Sequence, residues 1–431
     1  MNVSSKKFYF ISFLVVFLLI VVRQQQVDNY GCELCADKAG YYFYLPAVFQ
    51  LGFTTQNYPA GFDHKHGDGF HLNYEKNKVI TKFTCGVALL LSPFYSVGYV
   101  ISKILSINPD PYSTYYLFFI NIGAAFYLVL GIFFLRKWLE KYVAEKTALL
   151  SAILIFFSTN LFYYTLDESL MSHLYSFTMF TGILFAISNY KETREQKFFI
   201  LFMICLSLAI LIRPINFFFG IIALFLDVTN FEQLKKKIRL LISRKNILTG
   251  GLISFMIFLP QLLYWKFAYG NFFVWSYEGE GFTNLSHPHF MTVWFSTQSG
   301  LFPYTPLILV GLLLAMYMII KKIPNGPLVI FTFFVTSYMC AAWHNPFFGT
   351  CNFGKRPMVE YLPILMMPLF IFLNRFSAKK AVAKILIATA LIFFTWYNQA
   401  LFSSFNTCFP GGEWDYEEFM RLLIKGATII R

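Results

Sequence analysis

Charge is what this sequence has least of. Asp, Glu, Lys and Arg make up 13% of its 431 residues, about half the share found in soluble globular proteins. So few charges cannot cover a water-facing surface of this size, which excludes an ordinary cytosolic enzyme. No P-loop or glycine-rich dinucleotide fingerprint occurs, so nothing marks a nucleotide-binding domain. The seven Cys show no repeated metal-ligand spacing, which argues against a disulfide scaffold or a zinc domain. What is present instead is apolar: 57% of the residues are hydrophobic, 20% are aromatic and 54 are Phe. Long apolar runs recur along the whole chain and identify an all-α polytopic membrane protein.

The runs cover residues 8–22, 115–135, 148–166, 173–190, 198–212, 214–226, 247–265, 301–320, 327–343, 361–373 and 385–402, predicting about 11 transmembrane helices. The first follows Lys6 and Lys7 with no small-residue cleavage site after it, and reads as an uncleaved anchor with a cytoplasmic N-terminus. A further run, 85–105, is long enough to cross, but counting it would put the basic stretches 136–146 and 235–245 outside. Parity therefore assigns 85–105 to the interface or to a re-entrant segment. With that choice the cytoplasmic side holds most of the Lys and Arg, so the net charge of +13 is a positive-inside signal and not a nucleic-acid footprint. The spans form one domain, 1–402, containing a long first extracytoplasmic loop at 23–114, followed by a short extracytoplasmic tail at 403–431. No cytoplasmic loop is long enough to fold as a domain, so chemistry falls to the outer face, where a substrate delivered on a lipid carrier is available.

The candidate residues lie on that face. Asp37, a few residues past the first span, is followed by Tyr41, Tyr42, Tyr44 and Pro46; a carboxylate among interfacial rings suits a general base or a sugar-binding group, although position alone favours a solvated loop acid. Asp167 and Glu168 end a span, where acids usually only face the interface, and Ser172 and His173 begin the next. Lys82, Arg213, Lys355 and Arg356 supply cations of the kind a phosphate leaving group requires as its charge grows, and Glu360 lies in the same string as the last two. Each of these cations alone also reads as a side chain snorkelling to lipid headgroups. Glu278 and Glu280 sit in GNFFVWSYEGEGF, a composition suited both to stacking on sugar faces and to an interfacial aromatic belt. His64, His66, Asp68 and His71 are loosely spaced in a Gly-containing loop, which favours a solvated loop over a divalent cation site. Cys32 and Cys35 form a C-x-x-C whose outer position suits a structural disulfide or free thiols better than redox exchange.

In order along the chain, ADKAGYYFYLP, KFTCGVALLLSPF, YYTLDESLMSHLYSF, LIRPINFF, GLFPYTPL and FGKRPMVEYLP resemble the motifs of the GT-C membrane glycosyltransferases, in the bacterial branch similar to protein mannosyltransferases and the lipid A aminoarabinose transferase. The resemblance covers most of the chain from Asp37 to Pro363. It implies a GT-C fold, a bacterial inner or plasma membrane setting and an inverting transfer from a polyprenyl-phosphate sugar to a lipid, glycan or protein acceptor. It further implies that Asp37 is the base or acceptor-orienting group, that Asp167 or Glu168 is the second acidic site, that Lys82, Arg213 or Arg356 meets the phosphate, and that 85–105 contains a juxtamembrane helix. Two departures stand out: Lys38 follows Asp37 where many members carry a second acid, and Thr84-Cys85 replaces a Pro-containing step. No cofactor is implied beyond a possible divalent cation. The rival reading is a transporter or flippase of a lipid-linked glycan, which should show paired halves and charged, broken helices at the bilayer midplane; the sequence shows no repeat.

Overall fold

The computed structural model describes residues 3–26, 34–277, 279–349, 351–376, 381–406 and 408–429. Among these the chain is nearly all helical, the exception being one antiparallel hairpin that pairs His71–Asn73 with Lys78–Ile80 and one isolated bridge. Six helical stretches are long and apolar enough to cross a membrane: Lys7–Gln24, Gly86–Ile104, Thr114–Leu139, Arg244–Tyr269, Arg356–Arg375 and Ala381–Ser404. The helices Gln196–Ile212, Leu307–Ile320 and Gly326–Ala342 are apolar but shorter. The protein is thus a membrane-embedded helical assembly.

Several expected spans are interrupted, each for a local reason. The run 148–166 splits into helices Glu145–Phe157 and Leu161–Leu166. Between them lie Ser158, Thr159 and Asn160, whose side chains compete for backbone partners: Thr159 Oγ1 donates to Ile155 O (2.6 Å) and accepts from Leu161 N (3.3 Å). The run 301–320 breaks into Leu301–Tyr304 and Leu307–Ile320, because Pro306 lacks the amide a continuous helix would use. The run 214–226 yields only a 3₁₀ turn, Pro214–Asn216, and the helix Phe217–Phe225.

The centre of the assembly is the helix Ser172–Thr193, which packs against Thr114–Leu139 and Gln196–Ile212. Small residues allow the close approach: a Cβ on Gly131 would lie 3.1 Å from the Phe177 ring, and one on Gly182 would lie 2.7 Å from Cys205 Sγ. This helix carries Ser, Thr, Tyr and His among its buried residues, so it reads as less apolar than the helices that surround it.

The segment 34–114 is folded into helices and the hairpin. Helix Gly86–Ile104 runs antiparallel along the first half of Thr114–Leu139: Tyr127 Oη donates to Leu90 O and Tyr115 Oη to Gly98 O, both at 2.8 Å. Its first residue, Gly86, seats on Leu211 and Ile212, beside Arg213. Helix Asp37–Tyr42 packs against residues that flank the hairpin, with Gly40 so close to the Phe83 ring and Gly69 O (2.2 and 2.4 Å from a built Cβ) that no side chain fits there. The segment after 402 is structured as well. Helix Ala381–Ser404 runs past that boundary, and helix Tyr416–Ile429 packs back on it. A disulfide joins Cys351 to Cys408, tying the loop before Arg356 to this C-terminal segment.

Candidate active site

One cavity of about 530 Å³, within the range of small-ligand sites, gathers residues from six parts of the chain. Asp37, Lys82, His173, Arg213, Glu280, Arg356 and Glu360 all line it, although 323 positions separate the first of these from the last.

Local backbone chemistry sets each side chain. Arg213 ends helix Gln196–Ile212 in extended conformation (φ −149°, ψ 120°), the geometry a following proline imposes. Its carbonyl accepts from Asn216 N at 2.9 Å, closing the 3₁₀ turn, while Asn216 Nδ2 donates to Ala209 O and Ser176 Oγ at 3.0 and 2.9 Å. His173 is the second residue of its helix, and Glu360 lies in the 3₁₀ turn Arg356–Tyr361.

The charged residues pair in a definite pattern. Glu360, 1% exposed, accepts from Arg213 Nη1 at Oε1 (2.7 Å) and faces His173 Nδ1 at Oε2 (3.0 Å). A carboxylate oxygen can only accept, so the Glu360 contact is a hydrogen bond when Nδ1 of His173 carries the proton; Arg213 Nη1 lies 3.4 Å from the same nitrogen. Arg356 Nη2 meets Asp37 Oδ2 at 3.0 Å, and Lys82 pairs with Glu280. Three cations are matched by three carboxylates, so the lining is balanced before any ligand enters. Each guanidinium and ammonium keeps N–H donors beyond the one in its pair, and an anionic group can accept from these.

Rings fill the spaces between these pairs. Tyr41, Phe83, Trp275, Tyr277, Phe282, Trp343 and Phe348 line the cavity, while Pro214, Ile215, Phe217, Met339 and Cys340 give it an apolar wall. Two loops close over it. Asn284 N donates to Ala342 O (3.0 Å), His344 N to Gly281 O (2.8 Å) and Ser276 Oγ to Lys82 O (2.6 Å).

Three expected site residues lie elsewhere. Asp167 receives both Nε and Nη2 of Arg23, at 2.8 and 3.0 Å, and burial pushes its carboxyl pKa up against the pull of that arginine. Glu168 faces Lys38 at 3.4 Å. Neither lines the cavity: Asp167 turns toward the first helix, and Glu168 toward the helix that bears Asp37. Lys355 is buried behind the lining, its Nζ donating to Pro346 O (2.6 Å) and Ser299 Oγ (3.2 Å), and burial lowers its pKa to about 8. Glu278 and Cys32 lie outside the described residues. Cys35 is disulfide-bonded.

Two of the three first-loop histidines pair with acids, His64 with Asp68 at 2.8 Å and His71 with Asp63 at 3.3 Å, while His66 is buried with its Nδ1 3.0 Å from Leu34 O. Asp63 also accepts from Leu72 N, which fixes it to the hairpin. No group of three or more His, Cys, Asp or Glu that could hold a metal occurs among the described residues.

Trp343, His344, Asn345, Phe348 and Tyr361 also line the cavity and were missed in the sequence. The first four follow an apolar run as WHNPFF, an aromatic cluster around an Asn-Pro turn just ahead of FGKRP; that adjacency was the available signal. The chain matches no family model, no curated protein and no solved structure.

Proposed function

We propose that the protein is an integral-membrane glycosyltransferase that moves a sugar from a polyprenyl-phosphate donor to an acceptor hydroxyl, with inversion. The observation that carries this reading is the convergence in one cavity of a carboxylate, Asp37, with three cations, an apolar wall and a set of aromatic rings. The apolar wall from Phe217–Phe225 and Gly326–Ala342 suits the lipid chain of the donor, and the cations suit its phosphate.

In this reading Asp37 takes the proton of the acceptor hydroxyl. The hydroxyl oxygen forms a bond to the anomeric carbon as the bond from that carbon to the phosphate oxygen breaks. The electron pair leaves with the polyprenyl phosphate, whose added negative charge is met by Arg213, Arg356 and Lys82. Arg356 orients Asp37 in the resting cavity, and Glu360 holds Arg213 and His173 in register. We assign Asp167 and Glu168 to the framework around the first helix.

About 11 membrane crossings and an outward-facing cavity belong to the same reading. Disulfides persist in oxidising compartments, and the Cys351–Cys408 bond and Cys35 both lie in segments that adjoin the cavity lining. The free cysteines Cys85, Cys205 and Cys340 are buried. Helix Gly86–Ile104 then caps the outer end of Thr114–Leu139 as a juxtamembrane element.

The test is to incubate the purified protein with a polyprenyl-phosphate sugar and candidate acceptors. Release of free polyprenyl phosphate is expected. Donor that stays intact with lipid, glycan and protein acceptors alike would overturn the proposal in favour of transport.

A further inference from the structure

A continuous track of rings leads from the protein surface to the helix that bears Asp37. Trp275, 61% exposed, lies 6.0 Å from Tyr277. Tyr277 meets Phe83 edge-on at 6.2 Å, and Phe83 meets Tyr41 at 4.6 Å. Tyr41 is one helical turn beyond Asp37, at the i,i+4 spacing that places both on one face. The polar groups beside the track alternate in sign: Lys82 with Glu280 along it, and Asp37 with Arg356 at its inner end.

The track is held in place on all sides. Ser276, between its two outer rings, donates to Lys82 O, and Trp275 Nε1 donates to Tyr277 O at 3.1 Å. Tyr41 Oη donates to Ser172 Oγ at 3.2 Å. Its outer rings, Trp275 and Tyr277, therefore lose little conformational freedom when a ligand stacks on them, while Phe83 and Tyr41, each 4% exposed, line the cavity beneath.

Rings flanked by carboxylates and cations match one ligand chemistry. A pyranose presents C–H groups on its face, which pack on a ring, and hydroxyls at its edge, which bond to Glu280, Lys82 and Asp37. We propose that Trp275, Tyr277, Phe83 and Tyr41 form a subsite for a carbohydrate acceptor and deliver its reacting hydroxyl to Asp37. This rests on the glycosyl-transfer reading for the word acceptor; the binding of sugar rings does not.

The test uses the purified full chain without donor, titrated with chitotetraose, cellotetraose and α-mannotetraose while tryptophan fluorescence is followed. At least one tetrasaccharide should bind. Trp275→Ala should weaken it about tenfold, the scale of one lost ring contact, and Trp275→Phe should recover most of the loss. Phe273→Ala, an exposed neighbour outside the track, should leave binding unchanged. A parallel titration with polyprenyl-phosphate sugar should show equal donor binding in wild type and Trp275→Ala.

No binding of any tetrasaccharide, or equal binding in Trp275→Ala, would overturn the proposal. Loss of donor binding instead of tetrasaccharide binding would overturn it too, since the track would then serve the donor sugar. A Trp275→Ala effect seen only on partition into phosphatidylcholine vesicles would do the same by making Trp275 a membrane anchor. Tetrasaccharide binding at Trp275 in a protein that never releases polyprenyl phosphate would support the subsite and refute glycosyl transfer.

Discussion

At the scale of single residues, Arg213 is the cation whose chemistry can be separated from its charge. Its extended backbone before Pro214 and its 2.7 Å contact with Glu360 hold a planar fork at the cavity wall. Arg213→Ala should lower transfer by the loss of one transition-state donor, about 2.7–4 kcal/mol. Arg213→Lys keeps the charge and loses the fork, so it should impair transfer by less without restoring it. The check is activity per folded molecule for both variants; near-wild-type turnover in Arg213→Ala would remove Arg213 from the phosphate contact. Lys355 gives a prediction in pH. Its buried amine has a pKa of about 8 against an ordinary 10.5, so the folded state favours the neutral form. The unfolded chain holds more protons between these values, and stability should rise as pH increases from 8 toward 10.5. Below pH 8 the charged amine is carried at a cost. Thermal melting across this range should show an increment in the wild type that Lys355→Met lacks; identical slopes would contradict the assignment.

At the scale of elements, the first helix is pinned to the centre by Arg23 and Asp167. Truncating only the arginine strands a buried carboxylate, so Arg23→Ala should destabilise by about 3–5 kcal/mol. Arg23→Leu combined with Asp167→Leu should recover most of that loss, as read by detergent-phase thermal denaturation. A double variant as unstable as Arg23→Ala would show that the pair does more than hold the helix. The same pair shows where sequence reading stops. Asp167, Glu168 and Lys355 carry charges near span ends, as Asp37, Arg213 and Arg356 do, and a linear pattern does not say which way a span end turns. The breaks at Pro306 and at Ser158-Thr159-Asn160 carry local signals that the expected unbroken spans 301–320 and 148–166 passed over, whereas the Cys351–Cys408 bond joins positions 57 apart with no local signal. The ordered tail helix Tyr416–Ile429 was hidden because its packing partner is another helix and not a motif.

At the scale of the whole molecule, composition alone identifies a helical membrane protein, because too few charges are available to solvate so much apolar surface. The gathering of Asp37, Lys82, His173, Arg213, Glu280, Arg356 and Glu360 at one cavity is a property of the fold, anticipated only through motif order. In the proposed topology Lys82 and Asp110 share the outer side. Single cysteines introduced at the two positions, in a background without native cysteines, should both react with an impermeant reagent from outside; labelling Asp110→Cys only from the cytoplasm would invert every later loop. The central claim is that the carboxylate at Asp37 drives sugar transfer in this cavity. Its most direct measurement is polyprenyl phosphate release by wild type and Asp37→Asn side by side, with donor binding measured on the same preparations. The account predicts a rate lower by about 10² to 10⁴ in Asp37→Asn, the cost of a lost general base, with donor binding retained. Equal release by the two proteins would contradict it.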